Sequence, residues 1–173
     1  MPLSFYEVSV ESYLRTLRAI DTILQRTERH AAETELNLDT LTSYRLHNDM
    51  LPFSFQVISV WHHSMGAIRG MKAGLFEPPP QMAGMNFGKC RALISEAVGE
   101  LESASVDEIN SLMDKAMVFR LGTQEIPFTT GGFLTSFSIP NFYFHAATTY
   151  DVLRIHGVPL GKIDFLGALK IAV

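Results

Sequence analysis

The sequence predicts an all-α fold, a four-helix bundle with one small β-hairpin before its last helix, and three observations carry that expectation. Apolar residues recur at alternating steps of three and four in separate stretches of the chain. Capping-box pairs, prolines and glycines fall where those stretches begin and end. The 173 residues suit one domain, residues 1–173. At that length roughly 70% of the unfolded surface becomes buried without a metal or a disulfide.

Leu3, Tyr6, Val10, Tyr13, Leu17, Ile20 and Leu24 form the first seam, and Ser4 with Glu7 offers a capping box, which places the first helix at about Phe5 to His30. A short helix is expected at Leu38 to Leu46. Pro52 then opens a second long helix, with Ile58, Trp61, Met65 and Ile68 on one face, ending near Gly74 before the prolines at 78 to 80. Phe87, Cys90, Ile94, Ala97 and Leu101 repeat the spacing in a third helix, and Ser105 with Glu108 caps a short one through Met113. Residues 115 to 130 change character, with two extended runs around Gly122-Thr123 that predict a hairpin. The last helix should run from near Thr130 to Gly157, with Pro159 just beyond, and Pro140 should kink it or mark its effective start.

Composition narrows the functional classes. Net charge is -4 and the 14 Lys and Arg are scattered, so there is no electrostatic footprint for nucleic acid or an anionic membrane. No apolar run approaches the ~18 residues of a membrane span, and the first ten residues lack the basic start of a signal peptide, so a cytoplasmic protein is expected. The single cysteine, Cys90, sits in a helical seam where a thiol serves as a small hydrophobe. Hydrophobic residues make up 47% of the chain and charged ones 18%, a tilt that points to an apolar cavity or a self-association surface such as a homodimer.

The chemistry-bearing residues gather on two helices. His145 lies among Phe142, Tyr143 and Phe144 in the last helix and is the candidate catalytic residue. Asn141, His145 and Thr148 or Thr149 share a face by their spacing of four, giving a polar stripe in an apolar helix. The second helix offers Gln56 and His63 seven residues apart on one face, with His62 on a neighbouring one, while His47 and Asp49 precede it. Asp49, Gln56, Asn141 and His145 could line a pocket for a small, largely apolar molecule. His145, His63 and Asp49 could instead hold a divalent metal. The bland alternative is that the same groups are hydrogen-bond partners locking the helix register. His156, just before Gly157, suits the negative end of a helix, and Arg154 suits an ion pair with Asp151 or Asp164.

Asp49 to Pro52, the run PNFYFH at 140 to 145, Leu153-Arg154, GVPLGK at 157 to 162 and DFLG at 164 to 167 together resemble a branch of the DinB/YfiT-like metalloenzyme superfamily whose function is unassigned. The resemblance covers nearly the whole chain, and its C-terminal block is the specific part. It implies an up-down-down-up bundle with a long crossover. It also implies a divalent metal such as zinc or nickel, held by one histidine on the second helix and an HxxxH pair on the fourth, in relatives that act as transferases or hydrolases. Here the fourth helix carries Asn141-xxx-His145 and His145-xxx-Thr149, so only one imidazole of that pair is present. Three classes follow: a metal-dependent transferase or hydrolase, a metal-free binder or enzyme for a small apolar molecule, and a non-catalytic homodimeric structural protein.

Overall fold

The computed structural model describes residues 2–171. It opens with the Ser4 and Glu7 capping box. The Ser4 N–H donates to the Glu7 carboxylate at 2.8 Å while the Glu7 N–H donates to Ser4 Oγ at 3.2 Å, so two orphan amides are satisfied reciprocally. The chain then passes through a π-helical turn, Glu7–Glu11, into α1, Ser12–Glu33. Tyr13, Leu17, Ile20, Ile23 and Leu24 are buried along α1, the face that the three-four spacing marks out. Asn37 caps the short α2, Leu38–Ser43, by accepting from the Asp39 and Thr40 amides. α2 stops before the expected Leu46, because Tyr44 turns to extended backbone and its carbonyl accepts from the Phe53 N–H.

The second long helix is α3, Phe53–Trp61, a π-helical turn, His62–Gly66, and α4, Ala67–Ala73. Gly74 ends it in the left-handed conformation at φ 74°, the position for which glycine is suited. The chain reverses so tightly there that a Cβ on Gly70 would fall 2.9 Å from Phe76 Cδ2. β1, Leu75–Phe76, follows at once. α5, Phe87–Glu102, buries Phe87, Cys90, Ile94, Ala97 and Leu101. α6, Val106–Asn110, is capped by Ser105 and ends short of the expected Met113.

β2, Ala116–Leu121, and β3, Gln124–Thr129, form the expected hairpin across Gly122-Thr123. The hairpin is one part of a larger unit. β1 pairs in parallel with β2, Leu75 opposite Val118 and Phe76 opposite Phe119, so the sheet has three strands in the order β1-β2-β3. Two residues are too few to show strand periodicity in a sequence, and β1 exists because the Gly70 and Gly74 reversal lays it against β2.

α7, Thr130–Phe133, a π-helical turn, Leu134–Ser138, and α8, Ile139–Ile155, make the last long helix. Pro140 falls just after the π-turn, which widens the helix before the residue that lacks an N–H, so the helix runs on through it. Gly157 takes φ 81° after α8, and α9, Lys162–Leu166, closes the described chain. α1 packs against α5, α8 and α9, and α3 packs against α5 and α8, around one continuous apolar core. No helix among the described residues is long and apolar enough to cross a membrane.

Candidate functional site

The site forms where α3 faces α8. Gln56 lies one turn into α3 and is buried, and its amide N–H donates to the Leu51 carbonyl at 2.9 Å. That bond fixes the amide orientation, because a carbonyl can only accept. Gln56 Oε1 is therefore turned toward α8, where the His145 Nδ1–H donates to it at 2.8 Å. With Nδ1 carrying the proton, Nε2 of His145 holds a lone pair, and it has no partner among the described residues. Burial pushes the imidazole down to about 4, so it is neutral at pH 7. Phe55 and Phe144 stand edge-on to the ring at 6.0 and 5.2 Å, and Phe144 is 58% exposed.

His63 lies beside it, from the π-turn between α3 and α4. The His63 and His145 rings are 6.0 Å apart and within 13° of parallel. His63 is 7% exposed, with its Nδ1 buried and unpartnered, enclosed by Phe76 and Phe137. Burial, then the neighbouring His62 and His145, push it down to about 3. His62 is lowered by burial as well, but its Nε2–H donates to the Glu77 carbonyl at 2.7 Å. A Cβ on Gly66 would lie 2.9 Å from His62 Nδ1, so glycine there makes room for the ring.

A second polar chain holds the two π-turns together. Ser138 Oγ, from the turn before α8, donates to the His63 carbonyl at 2.8 Å, and the Tyr13 hydroxyl donates to Ser138 Oγ at 2.8 Å. All three groups are buried, and Tyr13 is pushed above its ordinary range by burial. The network anchors the His63 backbone to α1 and α8. No residue type announces an extra residue in a helical turn, so the π-turns are invisible in the sequence.

The other sequence candidates go elsewhere. Asp49 lies on the loop before α3 with its side chain 83% exposed, paired to His47 at 2.5 Å. The Asn141 amide donates to Phe137 O at 2.7 Å, and Thr148 and Thr149 donate to Phe144 O and His145 O at 2.8 and 2.9 Å. The polar stripe is thus satisfied within its own helix except at His145. The His156 Nδ1–H donates to Val152 O at the end of α8. Arg154 donates to Val158 O instead of pairing with Asp151 or Asp164. Cys90 is buried, its thiol pushed up to about 12, and is no nucleophile at neutral pH.

This donor set does not fit the metal that the resemblance implies. His63 and His145 are two imidazoles, and the third member, Asp49, is an exposed loop residue. Among the described residues no three His, Cys, Asp or Glu side chains are placed to hold an ion, whereas catalytic zinc takes three protein ligands.

A groove of about 850 Å³ lies elsewhere, between α1 and the C-terminal segment. Its charged groups are mostly engaged: Arg18 with Glu102, Lys170 with Glu11, and Asp164 with Arg26. Volume alone is a weaker pointer to a site than oriented chemistry. The groove does explain the C-terminal block. Asp164 accepts from the Gly161 N–H at 2.7 Å and pairs with Arg26 of α1, and Gly167, at φ 65°, approaches Arg15 so closely that a Cβ would be 3.2 Å from its carbonyl. The DFLG run is a clasp on α1.

Comparison with known proteins agrees with this architecture. A family model described as a domain of unknown function, DUF1993, matches residues 5–166. No curated protein matches the chain. Among solved structures, the crystal structure of a DinB family member protein from Shewanella denitrificans superposes with a TM-score of 0.80 at 22% sequence identity, covering 97% of this chain and 94% of that one. At that identity the likeness shows the fold.

Proposed function

The chain belongs to the DUF1993 family and has a DinB-like fold, and from that premise we propose that it binds or transforms a small, largely apolar molecule at the α3–α8 face without a resident metal. The observation that carries this reading is the Leu51–Gln56–His145 chain of hydrogen bonds. Two part-buried hydrogen bonds hold one imidazole in one tautomer, with Nε2 as a free acceptor. That is the state required of a general base or of an orienting group at neutral pH. The aromatic surround of Phe55 and Phe144 supplies an apolar wall. The reading includes the up-down-down-up order of the four long helices, with the crossover through residues 74–86. The packing of α1 on α5 and α8, and of α3 on the same two helices, supports that order.

The test is a fragment screen monitored by the histidine side-chain ¹⁵N resonances of the whole protein, repeated on His145→Ala. Ligands that shift the His145 signals and lose at least about tenfold in affinity in the variant are expected. Ligands indifferent to the substitution would remove the site from consideration. Stoichiometric metal retained by the purified protein and lost on His145→Ala would overturn the metal-free reading in favour of a divalent-metal transferase or hydrolase.

A further inference from the structure

We propose that the site selects uncharged ligands that donate a hydrogen bond, an aromatic or apolar body carrying a hydroxyl or N–H group, and that His145 Nε2 receives that donor. The inference rests on the reading of the His145 site given above and deepens it to a ligand class.

The His145 Nδ1–H is committed to Gln56, one N–H of the Gln56 amide to Leu51 O, and the His62 Nε2–H to Glu77 O. One N–H of Asn141 and the Thr148 and Thr149 hydroxyls are committed to their own helix. The neutral His63 ring keeps an uncommitted N–H, and Phe76 and Phe137 pack against that ring. The site offers an unpartnered acceptor, the lone pair on His145 Nε2, with two phenyl rings edge-on to the imidazole.

The side chains against His63 and His145 include Phe55, Phe76, Phe137, Phe144, His62 and Gln56, and among the described residues no lysine or arginine hydrogen-bonds to either histidine. A carboxylate or phosphate entering there would shed its water against lone pairs and phenyl rings. A hydroxyl would replace one hydrogen bond to water with one to Nε2 while its body covers the exposed Phe144. Phenol is the simplest molecule of this kind.

The experiment titrates the full chain with phenol, with anisole, in which the same ring has its donor methylated, and with benzoate, reading affinity and the His145 Nε2 ¹⁵N shift. Phenol should bind about tenfold more tightly than anisole, shift Nε2, and outcompete benzoate. His145→Phe, which keeps an apolar ring, should abolish the preference for phenol while still binding anisole. Gln56→Leu should weaken it, because the tautomer is then free to change. Equal binding of phenol and anisole, or tighter binding of benzoate, overturns the donor rule. If both rings bind equally and both are lost on His145→Phe, the site reading survives and the donor rule alone fails. Binding of none of the three overturns both.

Discussion

α1 and α8 solve the same packing problem with opposite distributions of polarity. α1 buries Leu17, Ile20, Ile23 and Leu24 and keeps its charges outside, where Arg18 meets Glu102 and Arg26 meets Asp164. α8 carries Asn141, His145, Thr148 and Thr149 among its aromatics, and each of the four makes a hydrogen bond. A helix of the first kind tolerates inexact surface pairing, because exposed ion pairs contribute little. A helix of the second kind does not, because an unmatched buried group costs about 1–3 kcal/mol. In such a helix, an atom left over is a statement about use. The leftover in α8 is His145 Nε2, and elsewhere among the described residues His63 Nδ1, Trp61 Nε1 and Arg91 Nε are buried without a partner.

The contrast can be broken most forcefully by truncation. Ile20→Ala, at a fully buried position of α1, should cost about 3 kcal/mol in urea unfolding, whereas His145→Ala in α8 should cost less than half of that. Equal losses would make His145 ordinary core filling. Next in size is acid. His63 is held near 3 and His145 near 4 when folded, against 6.5 as the ordinary value. Their folded values are depressed, so the stability they permit is full above about pH 6.5 and is lost as the pH falls toward 4, where the unfolded chain takes up protons that the folded one refuses. His63 alone should lower stability by about 2 kcal/mol between pH 8 and pH 5. Parallel unfolding curves of His63→Leu should show a shallower pH slope; an unchanged slope would place the acid sensitivity elsewhere.

Ser138→Ala removes the donor to the His63 carbonyl and the acceptor of Tyr13 together, and should cost about 1.5 kcal/mol. Added to Tyr13→Phe, it should be strongly non-additive in a double-mutant cycle, since both act on one chain of bonds. The smallest effect should come from Gln56→Leu, about 1 kcal/mol or less in stability, with a change in the His145 tautomer visible in its ¹⁵N shifts. A tautomer that stays fixed without Gln56 would show that something else orients the ring.

Much of the helical part was legible because local rules and tertiary packing agree there. The five residues that α5 buries follow one three-four repeat, and the capping residues Ser4 and Ser105 close the turns that their spacing implies. What stayed hidden depends on contacts rather than on residue types. β1 is two residues held by a reversal that Gly70 permits. The π-turns add a residue to a helix without altering its composition. For the site, helical spacing put Gln56 and His63 on one face of the second helix, and the structure brings both to His145. Asp49 could not be placed that way, since a loop direction is not periodic, and it turns out toward His47. The i−4 bonds of Asn141, Thr148 and Thr149 were open to the same sequence spacing, because each acceptor lies four residues back.

The partners of α1 carry a consequence for biosynthesis. Its main contacts are with α5, α8 and α9, all of which follow residue 86, and the Arg26–Asp164 clasp spans 138 residues. On a ribosome α1 emerges before these partners, and its apolar stripe waits for their translation before cover arrives. A nascent chain stalled before α8 should therefore be a substrate for holding chaperones, and the completed one should release them only when the last helices dock.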